Sequence, residues 1–318
     1  MKKIFKNRFG HFRAGWRIIF YVAFVVALSK LMDLLRNSFL LIRGENLGDY
    51  ALLLNRFISK FLNFLSVIIP SLMLLKWVDK RPVTILGTGC YRGALRELII
   101  GMAMGFILIT ITTLLLWLTG FASFSFNGLS IDMFLYLLSC LVVLVISASY
   151  EEVLFRGYIF QSLLEGSSFW ITLGIFALLF GAAHIGNTEV TVFTIAVTIL
   201  AGVFLGTIYY KTRALWMCIG AHFMWNWSMG ALYGMGISGS KFARRSLFTY
   251  QSLESGFFVG ADAMSEIVLG LAVVVLTIYA WKAKWLKTAE YNKKLWAKYP
   301  PQYGTEPEMS GQAVGPVL

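Results

Sequence analysis

The sequence predicts an all-α polytopic membrane protein of about eight transmembrane helices. Of its 318 residues, 58% are hydrophobic and only 14% are charged, whereas a soluble domain of this size carries roughly 25% charged residues. The mean hydropathy is +0.71. Several apolar runs reach the ~20 residues that a helix needs to cross the hydrocarbon core of a bilayer. These runs are therefore predicted to be membrane spans and not the core helices of a soluble protein.

Eight apolar segments are predicted to cross the bilayer. The first begins near residue 18, and the others cover about 57–75, 98–118, 136–164, 169–185, 190–210, 215–233 and 267–281. We expect the first segment to be retained as a helix, because no small-residue cleavage site of a signal peptide precedes Lys30. The third segment contains Gly101-x-x-x-Gly105, a pattern that permits close packing between membrane helices.

The net charge of +12 is explained by membrane topology and not by nucleic-acid binding. The basic residues cluster in the loops and tails between apolar segments, as expected for segments that face the cytoplasm. Eight spans place both termini on one side. Both basic termini, the loop 76–96 and the turn with Lys211 and Arg213 then share that side. We therefore expect a multi-pass protein of the cell membrane with cytoplasmic termini and the lipid bilayer as its partner.

Three ionisable side chains interrupt the fourth apolar segment: Glu151, Glu152 and Arg156. Charged groups at membrane depth are costly and are tolerated mainly where they face the protein interior or a water-filled cavity. Glu152 and Arg156 are four residues apart on one helix face, so the spacing predicts an ion pair. Glu151 lies about 100° around the helix and has no partner there. This carboxylate is the one predicted to be free for chemistry.

The apolar segments contain two histidines, His184 and His222, and an amide one turn after the second, Asn226. Each histidine alone could serve as a hydrogen bond between helices. Counted from the turns near residues 166 and 212, however, Glu151, His184, His222 and Asn226 lie at similar depths. At a rise of 1.5 Å per residue these depths are roughly 22, 27, 15 and 21 Å. A single site is therefore predicted.

These residue types suit two kinds of hydrolytic chemistry. A glutamate and a histidine can take a proton from water, while a second imidazole and an amide can donate hydrogen bonds to an oxyanion. Together they could hydrolyse an amide without a covalent intermediate. One glutamate and two histidines are also a known zinc ligand set, although the sequence has no HExxH motif. No cofactor is favoured, zinc is possible, and the residues leave both mechanisms open.

Three motifs together resemble the CPBP family (CAAX processing and bacteriocin processing), also called the Abi or CAAX prenyl protease family. They occur in order as Glu151-Glu152-x-x-x-Arg156, Phe180-x-x-x-His184 and His222-x-x-x-Asn226. The resemblance covers about residues 134–232 and implies an eight-helix intramembrane endopeptidase. By this resemblance Glu151 and His184 activate water, His222 and Asn226 hold the oxyanion, and Glu152 and Arg156 brace the site.

The chain is expected to divide into four regions. They are residues 1–133 with the first three helices, 134–234 as catalytic core, 235–283 as loop and last helix, and 284–318 as a basic and then disordered tail. The expected substrate is a membrane-associated protein or peptide. Two alternatives remain, a non-catalytic self-immunity or scaffold protein and a proton-coupled carrier. A carrier would show matching broken helices in two halves, whereas the polar residues here concentrate in one half.

Overall fold

The structure is a computed structural model that describes residue 5 and residues 12–39, 48–253 and 263–299. Its main helices are Ala14–Phe39 (α1), Asp49–Leu74 (α2), Ala94–Leu118 (α3), Ile131–Glu152 (α4), Phe169–Ala182 (α5), Val192–Thr212 (α6), Trp216–Trp227 (α7), Ala263–Lys282 (α8) and Glu290–Lys298 (α9). π-Helical stretches at Leu75–Asp79, Val153–Phe160 and Ser228–Leu232 continue α2, α4 and α7, and Gln161–Leu164 completes the α4 span. Val83–Leu86 is a 3₁₀ turn, and the strands are Ala122–Phe126 (β1) and Phe248–Ser252 (β2).

The predicted class, an all-α polytopic membrane protein, is confirmed. Six described helices are long and apolar enough to cross a membrane: Ala14–Ser38, Asp49–Asp79, Ala94–Leu118, Ile131–Leu164, Val192–Thr212 and Ala263–Lys282. The other two predicted spans are shorter, because α5 has 14 residues and α7 has 12 before its five-residue π-helical continuation. The prediction that the fifth helix continues to residue 185 was wrong. It ends at Ala182, and a series of turns leads from there to α6.

A buried ion network joins α1, α2 and the end of the α4 span. The guanidinium of Arg17 lies 2.5 Å from Asp79 and 2.6 Å from Glu165, and Arg81 pairs with the other oxygen of Glu165. The hydroxyl of Tyr158 donates to Asp79 at 3.0 Å. Because each charge meets an opposite one, these groups can be buried at the end of the bundle.

Further contacts place the turn after α6, the loop before α3 and helix α9 at the same end of the bundle. The turn after α6 meets α9 through a hydrogen bond from Asn292 to the Thr212 carbonyl (3.3 Å), and the Trp216 indole donates to the Gly89 carbonyl (2.9 Å). These described segments therefore share one end of the bundle, as predicted. This end, called the basic face below, comprises residues 12–17, 79–96, 211–216 and 282–299. The loop with Lys241, Arg244 and Arg245 is the exception, since Arg245 contacts Asp49 and Asp132 at the other end.

Two segments predicted as loops contain strands, and the predicted tail contains a helix. Strands β1 and β2 pair antiparallel, with Ala122 opposite Ser252 and Phe126 opposite Phe248. Aromatic residues alternate with small polar ones along β1, a pattern that stabilises a pleated pair through cross-strand contacts. The sheet follows α3 and so lies opposite the basic face. Helix α9 lies in the basic part of the predicted tail, for which no helix was predicted. The part of the tail predicted to be disordered, from residue 300, lies outside the described residues.

Glycines allow α3 and α7 to touch backbone to backbone. A Cβ atom on Gly101 would overlap the carbonyl oxygen of Met217, and one on Gly105 would overlap that of Ala221. From the other helix, a Cβ on Gly220 would overlap the Leu98 carbonyl. The close packing permitted by the Gly101-x-x-x-Gly105 pattern is therefore present. It fixes the height and rotation of α7, which carries His222.

We expect Gly105→Ala to destabilise the protein by about 1–3 kcal/mol, because the added methyl group has no room between the two backbones. The measurement is the midpoint of thermal unfolding of the purified protein in detergent. Gly174→Ala is the matched control, since a Cβ there meets nothing within 4 Å and alanine is the better helix former. Equal midpoints for the two variants would contradict the close-packing argument.

Candidate active site

Glu152 and Arg156 form the predicted ion pair, which lies entirely inside the protein. The guanidinium Nη1 is 2.6 Å from Oε1 of Glu152, and both side chains are 0% exposed. The pair forms where α4 passes into its π-helical continuation, a feature often found at functional sites. The rest of the guanidinium faces the rings of Phe176 and Phe180, 4.8 and 4.3 Å from their centres. Phe180 thus holds the cation through its ring face.

Glu152 also contacts His222 on α7, which the helix spacing had not indicated. The Nδ1 atom of His222 lies 2.7 Å from Oε1 of Glu152. Because a carboxylate paired with a guanidinium only accepts hydrogen bonds, we assign the proton to Nδ1, which donates it. The Nε2 atom then faces Glu151, 3.7 Å from its Oε2. One buried carboxylate therefore sets the orientation of the imidazole.

His184 lies in the turn that follows α5 and not within a helix. Its Nδ1 lies 2.8 Å from the carbonyl oxygen of Phe180, one of the carbonyls that the end of a helix leaves without a partner. A carbonyl only accepts, so Nδ1 carries a proton and Nε2 of the neutral ring has a lone pair. This Nε2 atom lies 4.0 Å from Oε2 of Glu151. The second imidazole is thus directed at the same carboxylate oxygen.

Glu151 differs from its neighbour in both exposure and partners. Its side chain is 13% exposed, against 0% for Glu152. The Oε2 atom of each has no hydrogen-bond partner in the protein, but Oε1 of Glu152 accepts from Arg156 and His222. The distances of 3.7 and 4.0 Å from Glu151 to the imidazoles are too long for direct hydrogen bonds. They leave space for one small molecule to contact the carboxylate and an imidazole together. The carboxylate predicted to be free therefore lies at the centre of the site.

These groups line one cavity of about 550 Å³, to which Asn226 also contributes. Helix α6, which carries none of the sequence motifs, adds Thr194 and Thr198 to the lining. The cavity reaches the end of the bundle opposite the basic face. There the Asn187 amide donates to the Ser238 carbonyl at 2.5 Å, and both residues line the cavity. The structure thus brings Glu151, His184, His222 and Asn226 to one space, with Glu152 and Arg156 directly behind them.

The donor types around Glu151 would also suit zinc. Both imidazoles use Nδ1 for a hydrogen bond and direct Nε2 at the carboxylate, which is how metal-binding histidines are commonly oriented. In the part of the chain that the structure describes, however, no group of three or more His, Cys, Asp or Glu side chains has the spacing of a metal centre. If zinc binds, Glu151, His184 and His222 are the residues that would hold it.

Fold and site together define a polytopic membrane protein with one buried glutamate–histidine group at the centre of its helices. Residues 133–228 match the family model described as Type II CAAX prenyl endopeptidase Rce1-like. This match confirms the resemblance to the CAAX protease family, and every candidate active-site residue lies within it. It supports a CAAX-type intramembrane protease-like function and, in general terms, a peptidase. No curated protein matches the chain.

We expect Arg156→Ala to lower both yield and thermal stability, because it leaves the Glu152 charge buried with no cation. Removing one partner of a buried pair costs about 3–5 kcal/mol. The control is Arg36→Ala, which removes a partly exposed cation 3.7 Å from Asp33 and is expected to cost less than about 1 kcal/mol. The measurements are expression level and unfolding midpoint in detergent. An Arg156→Ala protein that accumulates and unfolds like wild type would contradict the pairing argument.

Proposed function

We propose that this protein is an intramembrane endopeptidase that hydrolyses a peptide bond of a membrane-associated protein or peptide. The observation that carries the proposal is the position of Glu151. Its unpartnered oxygen lies between the Nε2 atoms of His184 and His222, and it lines a cavity large enough to admit an extended peptide segment. The family match over residues 133–228 supports the same reaction class.

Water is activated between Glu151 and His184. Because Nδ1 of His184 donates to the Phe180 carbonyl, its Nε2 lone pair can accept a hydrogen bond from a water molecule that also contacts Glu151. The carboxylate takes the proton, and the resulting hydroxide attacks the carbonyl carbon of the substrate. The product of this step is a tetrahedral intermediate with a negative charge on the former carbonyl oxygen.

His222 and Asn226 stabilise that oxyanion. The amide of Asn226 can donate directly. Nε2 of His222 donates only when the ring is doubly protonated, since Nδ1 already gives its hydrogen to Glu152. The carboxylates of Glu152 and Glu151 lie 2.7 Å from Nδ1 and 3.7 Å from Nε2 of this ring. Donors held in place for a developing oxyanion commonly make the largest contribution to such a reaction. Glu151 then returns its proton to the departing amine, which completes the cleavage.

Zinc chemistry is the alternative use of the same residues. A zinc ion held by Glu151, His184 and His222 would lower the pKa of a bound water and polarise the substrate carbonyl. In that case Glu152 would keep its role, because it would orient His222 by accepting from Nδ1. The two mechanisms share every residue named here. They differ in whether a chelator abolishes the activity.

We expect Glu151→Gln to abolish peptide hydrolysis while the protein stays folded, because the amide has nearly the same shape but cannot take a proton. His184→Ala should also be inactive, whereas Asn226→Ala should lose about 10²–10³ in rate through one oxyanion donor. The assay is cleavage of a peptide library by purified protein, with and without a chelator and with metal analysis of the active sample. Activity should survive chelation, and no stoichiometric zinc is expected.

Three outcomes would change this proposal. Full activity of Glu151→Gln would remove Glu151 from the mechanism. Activity that needs zinc would keep the residues and make Glu151, His184 and His222 ligands. A wild-type protein that cleaves no peptide but still produces a cellular phenotype would favour a non-catalytic immunity or scaffold role.

The positive-inside rule assigns the basic face to the cytoplasm. The cavity then reaches the opposite side, so the substrate is presented from the non-cytoplasmic side or from within the membrane. In a Cys90→Ser background, which removes the exposed native thiol, we expect cysteines at Lys80 and Glu290 to react only with reagents that enter the cell. A cysteine at Ser125 on β1 should react from outside. Labelling of Lys80 and Glu290 from opposite sides would contradict this topology.

A further inference from the structure

The cavity contains a group of cations that the hydrolytic mechanism does not use. Arg56 and Lys60 lie one turn apart on α2 and both line the cavity, and Lys241 lines it from the loop before β2. Like charges four residues apart on a helix repel each other. Lys60 also lies roughly 16 Å along α2 from its first residue, where an unpaired cation is costly. The position of these charges therefore needs an explanation.

No described carboxylate pairs with Arg56 or Lys60. Their contacts are with aromatic rings, since Arg56 lies 5.0 Å from the ring centre of Phe242 and Lys60 lies 5.4 Å from that of Tyr150. Ring faces attract a cation but leave its N–H groups without acceptors. Accordingly, Nη1 of Arg56 is buried and has no hydrogen-bond partner. Both side chains are held in place with donor capacity unused.

The acidic residues around these cations have other partners. Asp49, at the start of the same helix, lies 3.5 Å from Arg245. Glu266, across the cavity on α8, accepts a hydrogen bond from Thr194 at 3.2 Å. Glu151 faces the two imidazoles. The α2 side of the cavity therefore has an excess of positive charge directed at the space where a peptide would bind.

We propose that Arg56 and Lys60 form a subsite that binds a carboxylate of the substrate, either its C-terminus or an Asp or Glu side chain. A guanidinium can donate two parallel hydrogen bonds to a carboxylate in a bidentate arrangement, and an ammonium adds a point charge. A bound carboxylate also removes the repulsion between the two cations. Lys60 lies against the ring of Tyr150, the residue directly before Glu151, and lines the same cavity as Glu151. The inference rests on the proposed function and specifies its substrate as an anionic peptide.

The first test needs no variant. A peptide that the wild-type protein cleaves is resynthesised with an amidated C-terminus and, separately, with its Asp and Glu residues replaced by Asn and Gln. Neutralising the recognised carboxylate should raise KM on the order of tenfold or more, as expected for loss of a charge-assisted hydrogen bond, with kcat little changed. A response to amidation identifies the C-terminus, and a response to the replacements identifies a side chain.

Variants then assign the effect to α2. Arg56→Gln and Lys60→Gln should raise KM for the anionic peptide and make the anionic and neutral forms nearly equivalent substrates. Arg56→Lys should keep part of the preference, because it keeps the charge but not the bidentate geometry. Arg36→Gln is the control, since this cation is on α1 near Asp33 and does not line the cavity. It should keep the preference of the wild type.

A binding measurement separates this inference from the proposed function. Immobilised Glu151→Gln protein is exposed to one synthetic peptide pool in two versions, with free carboxylates and with all carboxylates amidated. The subsite is supported if Glu151→Gln retains only the peptides with free carboxylates and the double variant Glu151→Gln/Arg56→Gln does not retain them. This holds even if the wild-type protein hydrolyses no peptide. In that case the proposed function fails and the subsite stands. Hydrolysis of all peptide forms with equal KM overturns the subsite and leaves the peptidase. Equal retention without hydrolysis overturns both.

Discussion

The buried charge of Glu152 determines how the centre of this protein is arranged. Its carboxylate lies where no water reaches it, so it must be balanced by a cation and by hydrogen-bond donors. Arg156 supplies the charge from the same helix, and His222 supplies a donor from α7. Both partners bind the same oxygen, Oε1, and in this way the chain joins two helices and sets the orientation of an imidazole. The adjacent Glu151 is thereby left as the acid with an oxygen free inside the cavity.

Short helices and π-helical turns create the space around Glu151. Helix α5 ends at Ala182, well short of the length that crosses a bilayer, and the turn beyond it carries His184. Helix α7 becomes π-helical two residues after Asn226, and α4 does so directly after Glu152. Each helix thus departs from regular α-helical geometry beside a polar residue of the site. Irregular backbone at membrane depth is tolerated where it lines a cavity, which is its position here.

Helix periodicity and depth were enough to predict much of this arrangement. A spacing of four residues identified the pair of Glu152 and Arg156, and the count of residues from the turns placed Glu151, His184, His222 and Asn226 at one level. These inferences succeed because an α-helix has a fixed rise and rotation per residue. The roles assigned to the site residues remain predictions, since geometry alone does not show a reaction.

Contacts between helices could not be deduced in the same way. The hydrogen bond from His222 to Glu152 joins residues 70 positions apart, and no local spacing encodes it. The end of α5 at Ala182 was missed because the apolar composition continues to Ile185. The pairing of β1 with β2 was missed because two five-residue segments give a weak pattern when more than 100 residues separate them. Arg56 and Lys60 could have been noticed in the sequence, because they are cations beside or within an apolar segment. That they line the same cavity is visible only in the fold.

The ion network at the basic face also constrains the order in which the protein can be assembled. Arg17 is in α1, whereas its partner Glu165 is made 148 residues later. At about 5–20 residues per second, this interval lasts roughly 7–30 s. During that time the long Arg17 side chain can extend to the membrane surface and remain hydrated. Asp79, the other partner of Arg17, follows after only 62 residues, so α1 can pair with α2 early. The complete network, with its second carboxylate, forms only after the α4 span has been made.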